Sequence, residues 1–591
     1  MAQQQNYSYD RNPEDKKAAQ GQIEVLKTAL LVSPNDPAKR FMIGKAYRNA
    51  EMLEPAIDNL LKAVTIKPDY GIAHYHLALA YLEKGDLAKA AEGFFQATKH
   101  KPDLFEAWYW RGHTQNLVGR YEEAAEAFER VLKSEPDHAA AKREGADAYF
   151  AIAKHQRATE LYDQAAPHYA SDDELFYKLG LAESALERWP KARTALLRAH
   201  ELSPQRTDTL IALGHACASE GKHVDAVRFY RKSLDIDPEN ADIWARMAEQ
   251  QEIIELDEDA AASYQQAVQR RQDDGRLHQR WAEPLFRLER YEPALDAFER
   301  ALELLGDDIL SYDGKGKTLA KLGRHREAVE LLEKATQFDK GYALAFSHLG
   351  ESYRALGRAE EATKALRHAV RLQPEVAGTH YALGFHHFEH GEHFEAVGCF
   401  EKAAERAERM EPAWFHLGES KRALGEHDAA IEAYKKAIAI DPNRTGSHRG
   451  LGLSLRALRR YVEALEAFVE AEATQPSAEL SLFKGETLGS LDRHEEAIAS
   501  FEAGLKIDHD YVDLHVALAR ALRVVGRDQL ARKALDEARV LRPDDLEILR
   551  MQGALLRDLG RVDEAIEAVN SALRLRPNDA TLHGMLGALQ V

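Results

Sequence analysis

EPAWFHLGESKRALGEHDAAIEAYKKAIAIDP, Glu411 to Pro442, carries a small residue, Gly418, then a turn spelled Leu424-Gly425-Glu426, then Ala430, and closes on a proline. The same order returns along the chain. Prolines stand at 34, 68, 102, 136, 204, 238, 374, 442, 476, 543 and 577, spaced by 34 or its multiples except for the 67 between 476 and 543. A repeat of 34 residues, short by one residue once, accounts for all of them. With the proline as position 32, position 8 is always small, from Gly44, Ala78 and Gly112 to Gly553 and Gly587. Position 20 is alanine throughout, from Ala56 to Ala565.

Each repeat reads as two amphipathic helices around a turn marked LGR, LGE or KGD. In LGRHREAVELLEKA, Leu322 to Ala335, Gly323 ends the first helix, and Ala328, Leu332 and Ala335 give the second an apolar stripe at spacings of four and three. Small residues at positions 8 and 20 let two helix axes approach closely. Larger ones there overpack the contact by about 1 to 3 kcal/mol.

The pattern resembles the tetratricopeptide repeat family, whose signature has an aromatic or Leu at 4, Gly or Ala at 8, Tyr at 11, Ala at 20, an aromatic at 24, Ala at 27 and Pro at 32. Glu411 to Pro442 carries Trp414, Gly418, Ala430, Tyr434, Ala437 and Pro442 in that register, and Phe105 to Asp137 carries Trp108, Gly112, Ala124, Phe128 and Pro136. The resemblance covers nearly the whole chain. It implies an all-α solenoid, a right-handed superhelix of about sixteen helix-turn-helix repeats whose first helices line a concave groove. The expected organisation is a tail and half-repeat helix over 1–36, with Gln22 to Leu31 as a lone second helix. A regular array over 37–240, divergent repeats over 241–342, a regular array over 343–579 and a half-repeat helix over 580–591 follow. The divergent repeats lack the terminal proline, have Glu255 and Glu289 in place of the turn glycine, and hold Pro284 inside a first helix, where it should kink it.

The totals agree with an all-helical protein. Of 591 residues 30% are charged and 8% aromatic, and Val, Ile and Thr show no alternating runs. Cys217 and Cys399 are too few for a disulfide framework, so a reducing compartment is expected. No secretory signal or membrane-length apolar run is evident, which points to a soluble, cytoplasmic protein. A net charge of -19 argues against bulk nucleic-acid or anionic-membrane binding. Arg- and Ala-rich repeats such as ALRHAVRLQP give a bacterial impression.

The register also judges the candidate sites. LGFHHFEHGEHFEAVGCFEKA, Leu383 to Ala403, gathers His386, His387, His390, His393 and Cys399, but His387 takes a position that is tyrosine elsewhere, and no third ligand joins His386 and His390. No metal and no cofactor are assigned. GKGKTLAKLG, from Gly314, has Lys317 and Thr318 but lacks the first glycine of a phosphate loop and falls inside a first helix. Position 9 has no asparagine ladder of the kind found in O-linked N-acetylglucosamine transferase, and the two-carboxylate clamp of chaperone cofactors is missing. No nucleophile–base pair stands out, so the reading is non-enzymatic.

Two sets of groove residues remain. Position 5 begins aromatic, with Phe41, Tyr75, Tyr109 and Tyr177, suited to apolar or extended peptide segments or simply to neighbour packing. Toward the C-terminus arginine takes over: Arg354, Arg422, Arg456, Arg523 and Arg557 at position 12, Arg449 and Arg550 at position 5, and Arg520 at position 9. These positions share one helical face, concave by family geometry, so the arginines would form a stripe for an acidic segment of a partner. The competing reading has them serve the carboxyl ends of their own helices. The sequence therefore reads as a scaffold or adaptor for one or more partner proteins. The alternative is a targeting or regulatory subunit of a motility, signalling (small GTPase or kinase) or enzyme complex. Leu582, Leu586 and Leu589 make the last helix apolar enough for self-association.

Overall fold

The computed structural model describes residues 13–590, so part of the N-terminal tail (residues 1–12) and Val591 lie outside it. Among the described residues the chain is an all-α solenoid without strands. A helix begins at position 1 of every repeat, at Pro37, Gly71 and Phe105 and so on to Leu546 and Ala580, and another at position 17, from Leu53 to Val562. Helices pack on those next to them in sequence or one further along. Two compact units divide between Pro293 and Ala294, within the second helix Tyr291–Leu305 of the divergent stretch.

The two helices of a repeat start and stop by different chemistry. Many first helices are capped by a side chain one residue earlier. Asp36 accepts from the amides of Ala38 and Lys39, Asp172 from Leu175, and Asp545 from Glu547 and Ile548. They end in a left-handed residue at position 15, where the Gly425 amide donates to the Arg422 carbonyl at 3.0 Å and the Glu426 amide to that of Lys421 at 2.9 Å. Nine repeats have glycine there. The other seven hold Glu51, Ala153, Glu187, Glu255, Glu289, Arg459 and Asp492 at φ 57 to 63°. The missing glycines of the divergent stretch therefore leave the turn intact.

Pro284 lies within Gly275–Arg287, which keeps 13 residues, so it does not end or shorten its helix. Pro167 does: the second helix of its repeat stops at Ala165. The repeat short by one residue loses it between helices. Thr474 and Ala478 are joined by three residues, and Ser477 caps the next helix by accepting from the Leu480 amide. The helix ahead of the first repeat runs from Pro13 to Val32, longer than Gln22 to Leu31, because the residues before Gln22 are helix formers and proline suits a first turn.

The core repeats with the register. Ala430, Tyr434 and Ala437 are wholly buried, as are Ala124 and Phe128, and a buried aromatic or leucine of this kind contributes about 1.5 to 3 kcal/mol. Position 8 is small because position 24 lies on it. A Cβ on Gly418 would stand 2.8 Å from Tyr434, and one on Gly485 2.3 Å from Phe501. Many junctions between repeats share a tie, in which the side chain at position 4 donates to the carbonyl at position 32 of the preceding repeat. Trp108 donates to Pro102 at 3.0 Å, Trp414 to Glu408 at 2.9 Å, His448 to Pro442 at 2.8 Å and Arg40 to Pro34 at 3.0 Å. Indole, imidazole and guanidinium are interchangeable there because each has an N–H at the right reach.

Candidate functional site

First helices of successive repeats touch one another, as Phe105–Leu117 touches Ala139–Ala151 and Ile309–Lys321 touches Ala343–Ala355. Within each of the two units these helices form a wall, which carries positions 5, 9 and 12.

At the N-terminal end the aromatic set is half-buried in inter-repeat contacts. The Phe41 ring lies 5.3 Å from those of Tyr70 and His76, and Tyr75 lies 6.0 Å from Phe94. The Tyr109 hydroxyl donates to Glu144 at 2.7 Å, while its ring stacks on His138 at 5.0 Å. The Arg206 guanidinium sits 4.0 Å over Tyr177. Beside Tyr177 opens a cleft of ≈ 430 Å³, lined also by Ile211, His215, Ile243 and Arg246. Burial and the Arg246 charge lower the His215 pKa, so its ring enters the cleft neutral.

One charged cluster on this wall is not apparent from the sequence. Asp147 accepts from the Tyr162 hydroxyl at 2.6 Å and from Lys178 at 3.0 Å, and also pairs with Arg143, which reaches Asp172 at 2.9 Å. Burial works against the Arg143 charge, but the two aspartates outweigh it and raise its pKa. Part of the signal lies in the register, since Arg143 and Asp147 occupy positions 5 and 9, but only stacking brings in Asp172 and Lys178.

At the C-terminal end the arginines share the wall with acids. Arg354 pairs with Glu389 at 2.5 Å, Arg449 with Glu479 at 3.1 Å, Arg456 with Glu486 at 2.5 Å and Arg523 with Asp558 at 2.9 Å. Arg520 pairs with Glu547, Arg557 with Asp558 at 2.9 Å, and Arg422 with Glu419 of its own helix at 2.7 Å. Arg550 stays exposed, and its charge helps to hold the Asp579 carboxyl below its usual pKa, after hydrogen bonds from Thr581 and Leu582. For five of the eight arginines the face is thus a ladder of alternating charge, with acids at positions 2, 9 and 13 of the following repeat answering arginines at 5, 9 and 12, while Arg422 and Arg557 pair within their own helices.

Models described as "Tetratricopeptide repeat" match residues 118–173, 177–241, 310–342, 343–376, 412–444, 449–511 and 516–580, and one described as "TPR repeat" matches 44–85. The chain belongs to the tetratricopeptide repeat family. All the matching models are of the repeat itself, a non-catalytic fold. BBSome complex member BBS4 of Mus musculus is 31% identical over 101 residues, 17% of this chain and 19% of that protein. The Bos taurus protein of the same name is 31% identical over 102 residues, so the chain spans about a fifth of the length of these curated relatives. A crystal structure of MamA is 26% identical with a TM-score of 0.27, over 29% of this chain and 93% of that one. That of the APC/C hetero-tetramer Cut9-Hcn1 is 15% identical with a TM-score of 0.34, over 84% and 98%.

Against the tetratricopeptide register the two motif-like stretches find ordinary roles. His387 is buried and donates to Glu392 at 2.5 Å, and His390 donates to the His386 carbonyl at 2.8 Å. His386 engages the Thr363 hydroxyl at 2.9 Å. In GKGKTLAKLG the glycines serve packing: a Cβ on Gly314 would lie 2.3 Å from Phe298, and one on Gly316 2.6 Å from Leu332. Among the described residues no helix is long and apolar enough to cross a membrane. Leu582 and Leu589 of the last helix are buried in a cluster with Leu549, Leu556 and Val569, so the stripe read as a self-association surface packs inward.

Proposed function

We propose that this tetratricopeptide array is a non-catalytic, cytoplasmic scaffold that holds partner proteins along the wall of first helices. Its C-terminal arginines receive an acidic segment, and the cleft beside Tyr177 takes an apolar side chain. The observation that carries the reading is the state of those arginines. They occupy positions that share one helical face, and those paired with an intramolecular carboxylate give it only one or two of their five N–H groups. Partly exposed pairs of this kind contribute about 0 to 1 kcal/mol each. Carboxylates on a partner can therefore displace or join them at little cost, and bidentate contacts then add specificity.

The test uses the partner that co-purifies in stoichiometric amount. The triple variant Arg456→Glu, Arg523→Glu, Arg557→Glu is expected to lose it while keeping its helical circular dichroism, and wild-type capture should weaken as salt rises. Undiminished capture by the triple variant removes the C-terminal face as the binding site. A second reading, as a regulatory subunit of a larger assembly, is supported by the similarity to BBS4, a BBSome complex member. It is distinguished by the native mass of the endogenous protein, which would then be that of a fixed multi-subunit particle.

A further inference from the structure

At one junction the repeat pattern is replaced, all at once, by metal-ligating side chains. Elsewhere the residue at position 32 is commonly proline, a donor at position 4 often ties to its carbonyl, and position 26 of the second helix often lays a cation against that side chain. Lys436 lies 4.1 Å over Trp414 and Arg130 5.7 Å over Trp108. At the junction before the helix Val512–Val524, His509 stands in place of the proline, His515 is at position 4, and Glu537 takes the place of the cation. Their ligand atoms all lie within 4.8 Å of one another.

The tautomer of His515 makes the arrangement more than a coincidence of residue types. Its Nε2 lies 2.7 Å from the His509 carbonyl, which can only accept, so Nε2 carries the proton and donates. In the neutral ring Nδ1 is then a lone pair. That atom is buried without a hydrogen-bond partner in a side chain 1% exposed, and it faces the Glu537 carboxylate at 3.4 Å. A lone pair and a carboxylate oxygen facing each other in a buried site repel unless a positive species lies between them. His509, 73% exposed on the adjoining loop, is free to swing in as a third ligand. The Nε2–H donation to a backbone carbonyl is the kind of outer contact that fixes the ring of a metal-bound histidine.

We propose that His509, His515 and Glu537 bind a divalent transition ion of the zinc class and so clamp the junction between two repeats. Two imidazoles and one carboxylate suit such an ion and leave a fourth position for water. Bonds of about 2.0 to 2.2 Å in a tetrahedral site require ligand atoms about 3.4 Å apart, so a modest closure, mostly of His509, completes it. The chain carries an internal control. His448 and Glu470 occupy positions 4 and 26 two repeats earlier, but Pro442 stands where His509 would be needed.

The experiment uses untagged full-length protein, stripped with chelator and titrated with Zn²⁺ against a chromophoric competitor, with Co²⁺ as a spectroscopic probe. Wild type is expected to bind one ion per chain, show cobalt d–d absorption and melt at a higher temperature with zinc. His509→Pro and Glu537→Lys install residues the chain already uses at those positions, so both should fold. Each is expected to weaken zinc binding by about 100-fold or more and to lose the cobalt bands. His448→Trp should change neither. No stoichiometric binding at micromolar zinc, the result if a proton alone fills the gap, overturns the site. Binding undiminished in the His509→Pro, Glu537→Lys double variant does so as well.

Discussion

Ala153 sits at φ 57° in a turn where nine other repeats use glycine, and its side chain is exposed. A left-handed conformation costs an L-residue about 1 to 2 kcal/mol, part of which glycine returns through the greater freedom of its unfolded chain. Ala153→Gly is therefore expected to raise stability by about 0.5 to 1 kcal/mol, read from the urea midpoint, whereas an unchanged or lower midpoint would contradict the strain. His76 makes a second single-residue prediction. Burial, followed by the Arg48 and Lys45 charges, lowers its pKa to about 3, and Arg48 donates to its Nδ1 at 2.9 Å. Its folded-state pKa is depressed below the unfolded value of about 6.5, so the stability it contributes is present above pH 6.5 and lost as pH falls toward 3. The melting temperature of wild type should fall more steeply over that window than that of His76→Gln, and parallel curves would refute the assignment.

Within an element, the glycines divide by what lies opposite. Gly485 faces the buried Phe501 ring, and Gly485→Ala is expected to cost about 1 to 3 kcal/mol. Gly398, exposed inside the helix His393–Arg406 with nothing within 4 Å, should gain about 1 kcal/mol as alanine through helix propensity alone. Chemical denaturation of the two variants checks both signs. The same contrast explains which features are legible in the sequence. The helix-pair register is legible because positions 8 and 20 lie in close contacts that restrict them, repeat after repeat. The partners of the arginines are not, because Glu389, Glu479 and Asp558 reach Arg354, Arg449 and Arg523 only across the stacking of one repeat on the next. Histidines obey the same rule. A local pattern displays two of them on one helix, His386 and His390, whereas the cluster that forms draws on a loop, a first helix and a second helix, with separations of six and 22 residues.

For the molecule as a whole, contacts between helices that are close in sequence mean that a lesion is felt locally. Hydrogen exchange of Gly485→Ala is expected to lose protection in the helices around Ala478–Ser490, fading with distance and leaving the unit that ends at Pro293 unchanged. A uniform loss over all repeats would mean one cooperative body instead. The junction ties have an optical consequence. Three of the six tryptophans, Trp108, Trp244 and Trp414, hold loop carbonyls between repeats, and no tryptophan follows Trp414. Tryptophan emission, excited selectively over tyrosine, therefore reports on these three joints together with the surroundings of Trp110, Trp189 and Trp281, and is dark to the last four repeats, where the arginine ladder is densest and the histidine–glutamate cluster sits. An emission melting curve that departs from the circular dichroism curve would locate which end of the array comes apart first.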